Sequence, residues 1–203
     1  MNGQEFTDAL RDDHETPLSR LGSSKWVYAL TGGEMDGDAV EAAWATETAA
    51  AHATFAAWAD DEESDEAAAA FVDVAETAAG HGDGHGDAET ETPPMYEALA
   101  GIEGTAERAG GLLAWTLVTE KTLAQLVGFF VGDADPSSAN TFRGYRSDLQ
   151  DQGTTAADLL DTVCDDETDW DAAREGADRV IEAAYDDYVE TLESMGIKPK
   201  NVC

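Results

Sequence analysis

Apolar residues recur at spacings of three and four along nearly the whole chain, while strand-like alternation is missing. Phe6, Leu10 and His14 mark a first helical segment over 4–15. Pro17, with Thr16 as cap, opens a second over 17–31, which Gly32–Gly33 closes. Val40, Trp44, Glu47, Ala51, Phe55 and Trp58 form the stripe of 37–60, and Phe71, Ala75, Ala78 and His81 that of 64–80. The span 81–94, rich in Gly, Asp, Thr and Pro, reads as a flexible loop. A long segment over 96–131 carries Leu113, Leu117, Glu120, Ala124 and Val127. After Asp135–Pro136–Ser137 comes 138–164. The cleanest stripe, over 169–195, runs from Trp170 through Ala177, Ile181 and Tyr188 to Met195, and Gly196 and Pro199 end it. Long helices with short connections predict an all-α up-down bundle, one domain over 1–203.

Two of these stripes contain a carboxylate, Glu47 and Glu120. Burying an isolated carboxylate costs several kcal/mol unless it is paired or bound to a metal. Two on separate long helices suggest a shared cation, because inward carboxylates are how bundles build iron and manganese sites. The stretch ETAAGHGDGHGD adds two histidines. His81 continues the face of Phe71. His85 would follow only if the helix survived Gly80, Gly82 and Gly84, each costing about 1 kcal/mol relative to Ala. His81 is therefore the candidate ligand and His85 a solvated loop residue. The competing reading makes Glu47 and Glu120 hydrogen-bonded buried acids, and His81 a histidine favoured by a helix C-terminus. His14 reads as a packed histidine and His52 as lying at a helix–helix boundary. The five tryptophans read as core or interface anchors.

Charge changes the setting. There are 44 Asp and Glu against 11 Lys and Arg, a formal −33, spread along every segment. Self-repulsion of this size destabilises a compact chain at low salt and is screened near molar salt, where the Debye length falls to about 3 Å. The composition points to a halophile's cytoplasm. It leaves no basic face for nucleic acid. The longest apolar run, LAQLVGFFVG, is too short to span a bilayer, and no N-terminal signal is visible. Cys164 and Cys203 form no CxxC, so there is no rubredoxin-type iron centre; Cys164 reads as buried and Cys203 as exposed.

Against this background the chain resembles the rubrerythrin branch of the ferritin-like proteins. Ala43–Gly82 lies over the family's half-repeat with Glu47 on the first-helix glutamate, Phe71 on the aromatic and His81 on the histidine. Leu113–Gln152 repeats the scheme with Glu120 and Phe142. The stretches ERAGG, VGFFVG-x-ADP and MG-x-x-PK-x-VC are similar to those of rubrerythrin-family proteins of halophilic archaea, so the likeness covers nearly the whole chain. The resemblance implies a ferritin-like four-helix bundle with additional N- and C-terminal helices. In intact members it implies a di-iron centre acting on peroxide or dioxygen.

The departures are specific. The glutamate expected three residues before His81 is Ala78, and the second-half equivalents are Leu149 and Gln152, with Asp148 and Asp151 one residue off. Glu47, His81 and Glu120 are then the metal ligands that remain. They predict a single, weakly held iron or other divalent ion, or a hydrated polar core. The electron donor is not identified, and pairing into a homodimer is the association ferritin-like bundles commonly use. Two functions follow: iron-dependent peroxide or oxygen chemistry on a reduced ligand set, or a non-enzymatic bundle kept for partner binding or self-assembly.

Overall fold

A computed structural model describes residues 1–86, 88 and 91–199, and these form helices and connections without strands. Cys203 lies outside the described residues. Helix boundaries follow local chemistry. Asn2 starts α1 (Gly3–Asp13) with a capping box, its side chain accepting from Glu5 N at 2.9 Å. Asp36 caps α4 (Gly37–Asp61) through Ala39 N, and Ser64 caps α5 (Asp65–Gly82). Asp135 accepts from Ser137 N and Ser138 N in front of Pro136, the first residue of α8 (Pro136–Val163). Asp166 forms a second capping box at α9 (Glu167–Ser194).

Two expected segments are broken. The span 17–31 becomes α2 (Glu15–Leu21) and α3 (Ser24–Leu30), divided at Gly22, whose carbonyl accepts from Gln125 Nε2 at 2.7 Å. The span 96–131 becomes α6 (Pro94–Ala100) and α7 (Thr105–Gly132). Here the chain turns so that Ile102 enters the core at 1% exposure. Hydrophobic burial of Ile102 fixes that corner more strongly than helical continuity through two glycines would.

The long helices pack as the pairs α4–α5 and α7–α8, joined where α5 meets α8, with α9 laid along α7. The short helices close the ends: α1 on α8, α2 and α3 on α7 and α9, α6 on α9. The result is an all-α bundle with additional terminal helices. Facing aromatic rings fill the gap between α4 and α7, with Phe55 at 4.9 Å from Trp115 and 5.3 Å from Trp58, and Trp58 at 5.1 Å from Phe71. Trp26 and Trp44 are also buried, and Trp170 packs on Phe6 at 5.6 Å. On α7–α9 the backbones nearly touch. A methyl group added at Gly110 would overlap the carbonyl oxygen of Ala173, so only glycine permits this approach. Cys164 is buried. Among the described residues no helix is long and apolar enough to cross a membrane.

Candidate functional site

Glu47 sits at mid-length on α4 and is 8% exposed. Its carboxyl group is hydrogen-bonded to the Tyr96 hydroxyl from α6. Trp115 Nε1 on α7 donates to the same hydroxyl at 3.2 Å. Tyr96 thus accepts from an indole and donates to a carboxyl group, a chain across three helices. Burial raises the Glu47 pKa to about 7, against the opposing bond from Tyr96 and with help from the charge of Asp187. Burial, then the nearby Glu47 charge, likewise holds the Tyr96 hydroxyl well above its ordinary value.

Behind Glu47 lies a cavity of about 10 Å³, lined on α5 by Ala78 and His81, on α7 by Trp115 and Thr119, and on α8 by Leu149 and Gln152. Ala78, His81, Leu149 and Gln152 are four of the positions that the expected resemblance pointed to. The α7 position is taken by Thr119, not Glu120. The buried line of α7 continues Thr119, Leu123, Leu126, Phe130, while Ala124 and Val127 stay partly exposed. Glu120 is turned to the outer side of α7, where Arg146 Nη2 donates at 2.9 Å and Gln150 Nε2 at 3.2 Å. Burial would raise its pKa, but these bonds and the Arg146 and Lys121 charges outweigh it and hold it below the usual value. It lines a different groove, with Leu117 and Gly153.

His81 does end its helix facing the bundle, but its ring is already engaged. It stacks on Tyr145 at 4.0 Å, and its Nε2 lies 3.0 Å from Asp148 Oδ2. Burial lowers its pKa, partly offset by Asp148. The helix survives Gly80 and ends at Gly82. Positive φ angles of 86° at Gly84 and 88° at Gly86 then fold the chain back. As a result His85 is not a solvated loop residue: its Nε2 meets the Tyr145 hydroxyl at 3.0 Å and its ring lies 5.4 Å from Phe142. His52 Nδ1 contacts the Ala75 carbonyl at 3.0 Å across α4–α5, and His14 Nε2 contacts Asp178 at 2.7 Å.

The geometry therefore brings Glu47 and His81 to one cavity and leaves Glu120 outside it. Among the described residues no group of three or more His, Cys, Asp or Glu side chains is placed to hold a metal ion. A di-iron pair needs about four carboxylates around it, whereas among the described residues Glu47 is the only carboxylate lining this cavity. The donor set does not fit that group.

On its other side Glu47 reaches a much larger cleft of about 760 Å³. Trp26 and Leu30 give it an apolar wall, and Glu34, Glu91, Glu97 and Asp187 line it with carboxyl groups; among the described residues no Lys, Arg or His lines it. Burial, then the neighbouring charge of Glu190, raises the Asp187 pKa despite a bond from Thr191. Pairs of carboxyl groups with raised pKa in a cleft mark a candidate binding site. Tyr96 and Asp187 carry no mark in the sequence. Asp187 is one of 44 acids, and Tyr96 is reached through a turn that helical periodicity does not show.

No protein-family model, no curated protein and no solved structure matches the chain.

Proposed function

We infer that this chain is a ferritin-like helical bundle that works by binding and not by metal catalysis. The observation that carries the reading is the content of the interior cavity. Among the described residues Glu47 is the only carboxylate lining it, is held largely protonated below about pH 7, and is committed to Tyr96. The acidic cleft in front of Glu47 is the natural seat for a ligand, and its carboxyl groups select a cationic one. The evenly acidic surface supports a salt-rich cytoplasm as the setting. A homodimer is one form the binding can take, and light scattering after size exclusion measures it.

A second reading keeps the iron chemistry, because Glu47 and His81 share one cavity. Reconstitution in molar salt separates the two. We expect less than about 0.1 equivalents of iron or manganese to be retained, with no peroxide turnover. Retention near one equivalent, abolished by Glu47→Gln and by His81→Ala but unaffected by Glu120→Gln, overturns the binding reading.

A further inference from the structure

Two side chains that line the interior cavity carry buried polar atoms that make no bond. Thr119 Oγ1 and Gln152 Nε2 are shielded from solvent and have no hydrogen-bond partner among the described residues. The two residues are 4% and 5% exposed, and both line the cavity beside Glu47. Neighbouring threonines on α7 behave differently. Thr116 donates to the Leu113 carbonyl at 2.7 Å, and Thr122 accepts from Trp26 Nε1 at 2.7 Å. An unmade bond to a buried polar group is costly, so two at one cavity call for a guest.

The guest is defined by size and by chemistry. A volume of about 10 Å³ is the room one water needs, roughly 10–15 Å³. Gln152 Nε2 is a pure donor, so the guest must offer a lone pair. The Glu47 carboxyl group keeps an acceptor oxygen in either protonation state, so a guest that also offers a hydrogen suits it. A bare cation lacks the first and a halide lacks the second. Water has both, and it also satisfies Gln152 in the opposite amide orientation.

We propose that this cavity is a binding site for one water molecule, held by the Gln152 amide, the Thr119 hydroxyl and the Glu47 carboxyl group. The water stands where the half-repeat would bring metal ligands together, and it closes the polar network that runs through Tyr96 and Trp115. The proposal rests on the reading that no metal is taken there.

Crystals of the metal-free protein, with a second set soaked in manganese(II), test it. One density peak within hydrogen-bond reach of Gln152 Nε2 and Thr119 Oγ1, without anomalous signal in either set, is expected. That peak is lost in the near-isosteric Thr119→Val and in Gln152→Leu. A wild-type cavity without density overturns the water site and leaves the binding reading standing. An anomalous peak at ligand distances of about 2.0–2.2 Å in the soaked crystals overturns both. Should neither variant fold, a long-lived water cross-peak to the Gln152 side-chain amide in the wild-type NMR spectrum supports the site, and its absence overturns it.

Discussion

The Tyr96 hydroxyl hydrogen-bonds to the Glu47 carboxyl group while accepting from Trp115 Nε1 at 3.2 Å, so the carboxylate of the interior cavity is held by a neutral partner. A neutral donor stabilises the charged form only in part, and burial wins, lifting the pKa to about 7.

The sign of the resulting pH dependence follows from linkage. Between the unfolded value near 4.5 and the folded value near 7, the native state holds a proton that the unfolded chain has lost. Stability contributed by this group therefore falls as pH rises through that window and is flat above it, by an amount on the order of 3 kcal/mol. Glu47→Gln should remove this group's share of the slope, leaving that of Asp187, and be more stable than wild type at pH 8. Urea unfolding from pH 4.5 to 8 in molar salt measures both; parallel curves for the two proteins would contradict the assignment.

Glu120→Gln should behave as a surface change. Its bond to Arg146 joins side chains that are 21% and 43% exposed, and such pairs contribute about 0–1 kcal/mol. A thermal melt should shift by only a few degrees. A loss comparable to that of a core mutation would mean that Glu120 works in the interior after all.

Arg108 is the opposite case. Its side chain is 7% exposed and bridges Glu62 Oε2 at 3.2 Å and Asp61 Oδ2 at 3.1 Å, over the ring of Trp58. The Glu62 side chain is itself 2% exposed, so Arg108→Ala strands a buried charge and should cost about 3–5 kcal/mol. Arg108→Met combined with Glu62→Leu should recover most of that loss, which a double-mutant cycle reads directly.

Gly110→Ala should cost about 3 kcal/mol or more, because the obstructing atoms are the Ala173 backbone and cannot rotate away. Gly144→Ala, mid-helix on α8 with open space around it, should stabilise by about 0.5–1 kcal/mol. Denaturant midpoints of the two variants should move in opposite directions.

Raising salt from about 0.1 M to molar concentrations should raise the melting temperature. The formal charge is −33, and several of the few basic side chains are already paired, Arg179 with Glu107 at 3.1 Å and Arg174 with Asp178 at 3.2 Å among them. Screening several kcal/mol of repulsion corresponds to about 10 °C or more at roughly 2–4 °C per kcal/mol. Calorimetry in sodium chloride and in sucrose of equal osmolality separates screening from solute exclusion.

Much of the interior is legible in the residues. Helical spacing brings Glu47, Ala78 and His81 to the inner face, and all three line the interior cavity, together with Leu149 and Gln152. The same spacing turns Glu120 inward, because Leu113 and Leu117 precede it. Yet α7 is buried all round from Arg108 to Thr119, so apolar spacing there cannot say which side faces α4. The lower half decides, through Thr119, Leu123, Leu126 and Phe130. Thr119 is a polar residue in that line, and a polar residue gives the pattern no reason to count it. The glycines around His85 point it outward in the sequence, because they break a helix. They do end it at Gly82, and the positive φ at Gly84 reverses the chain so that the His85 ring lies 5.4 Å from Phe142.

What the sequence alone determined is what local physics controls. Helical periods, the break at Asp135–Pro136–Ser137 and charge on every segment specify an acidic all-α bundle. Tertiary structure decided which carboxylate is inside. A helix can turn about 100° about its axis at little local cost, and only packing against α8 and α9, with the Phe55–Trp115 contact to α4, selects the face that brings Thr119 to the cavity and leaves Glu120 to Arg146.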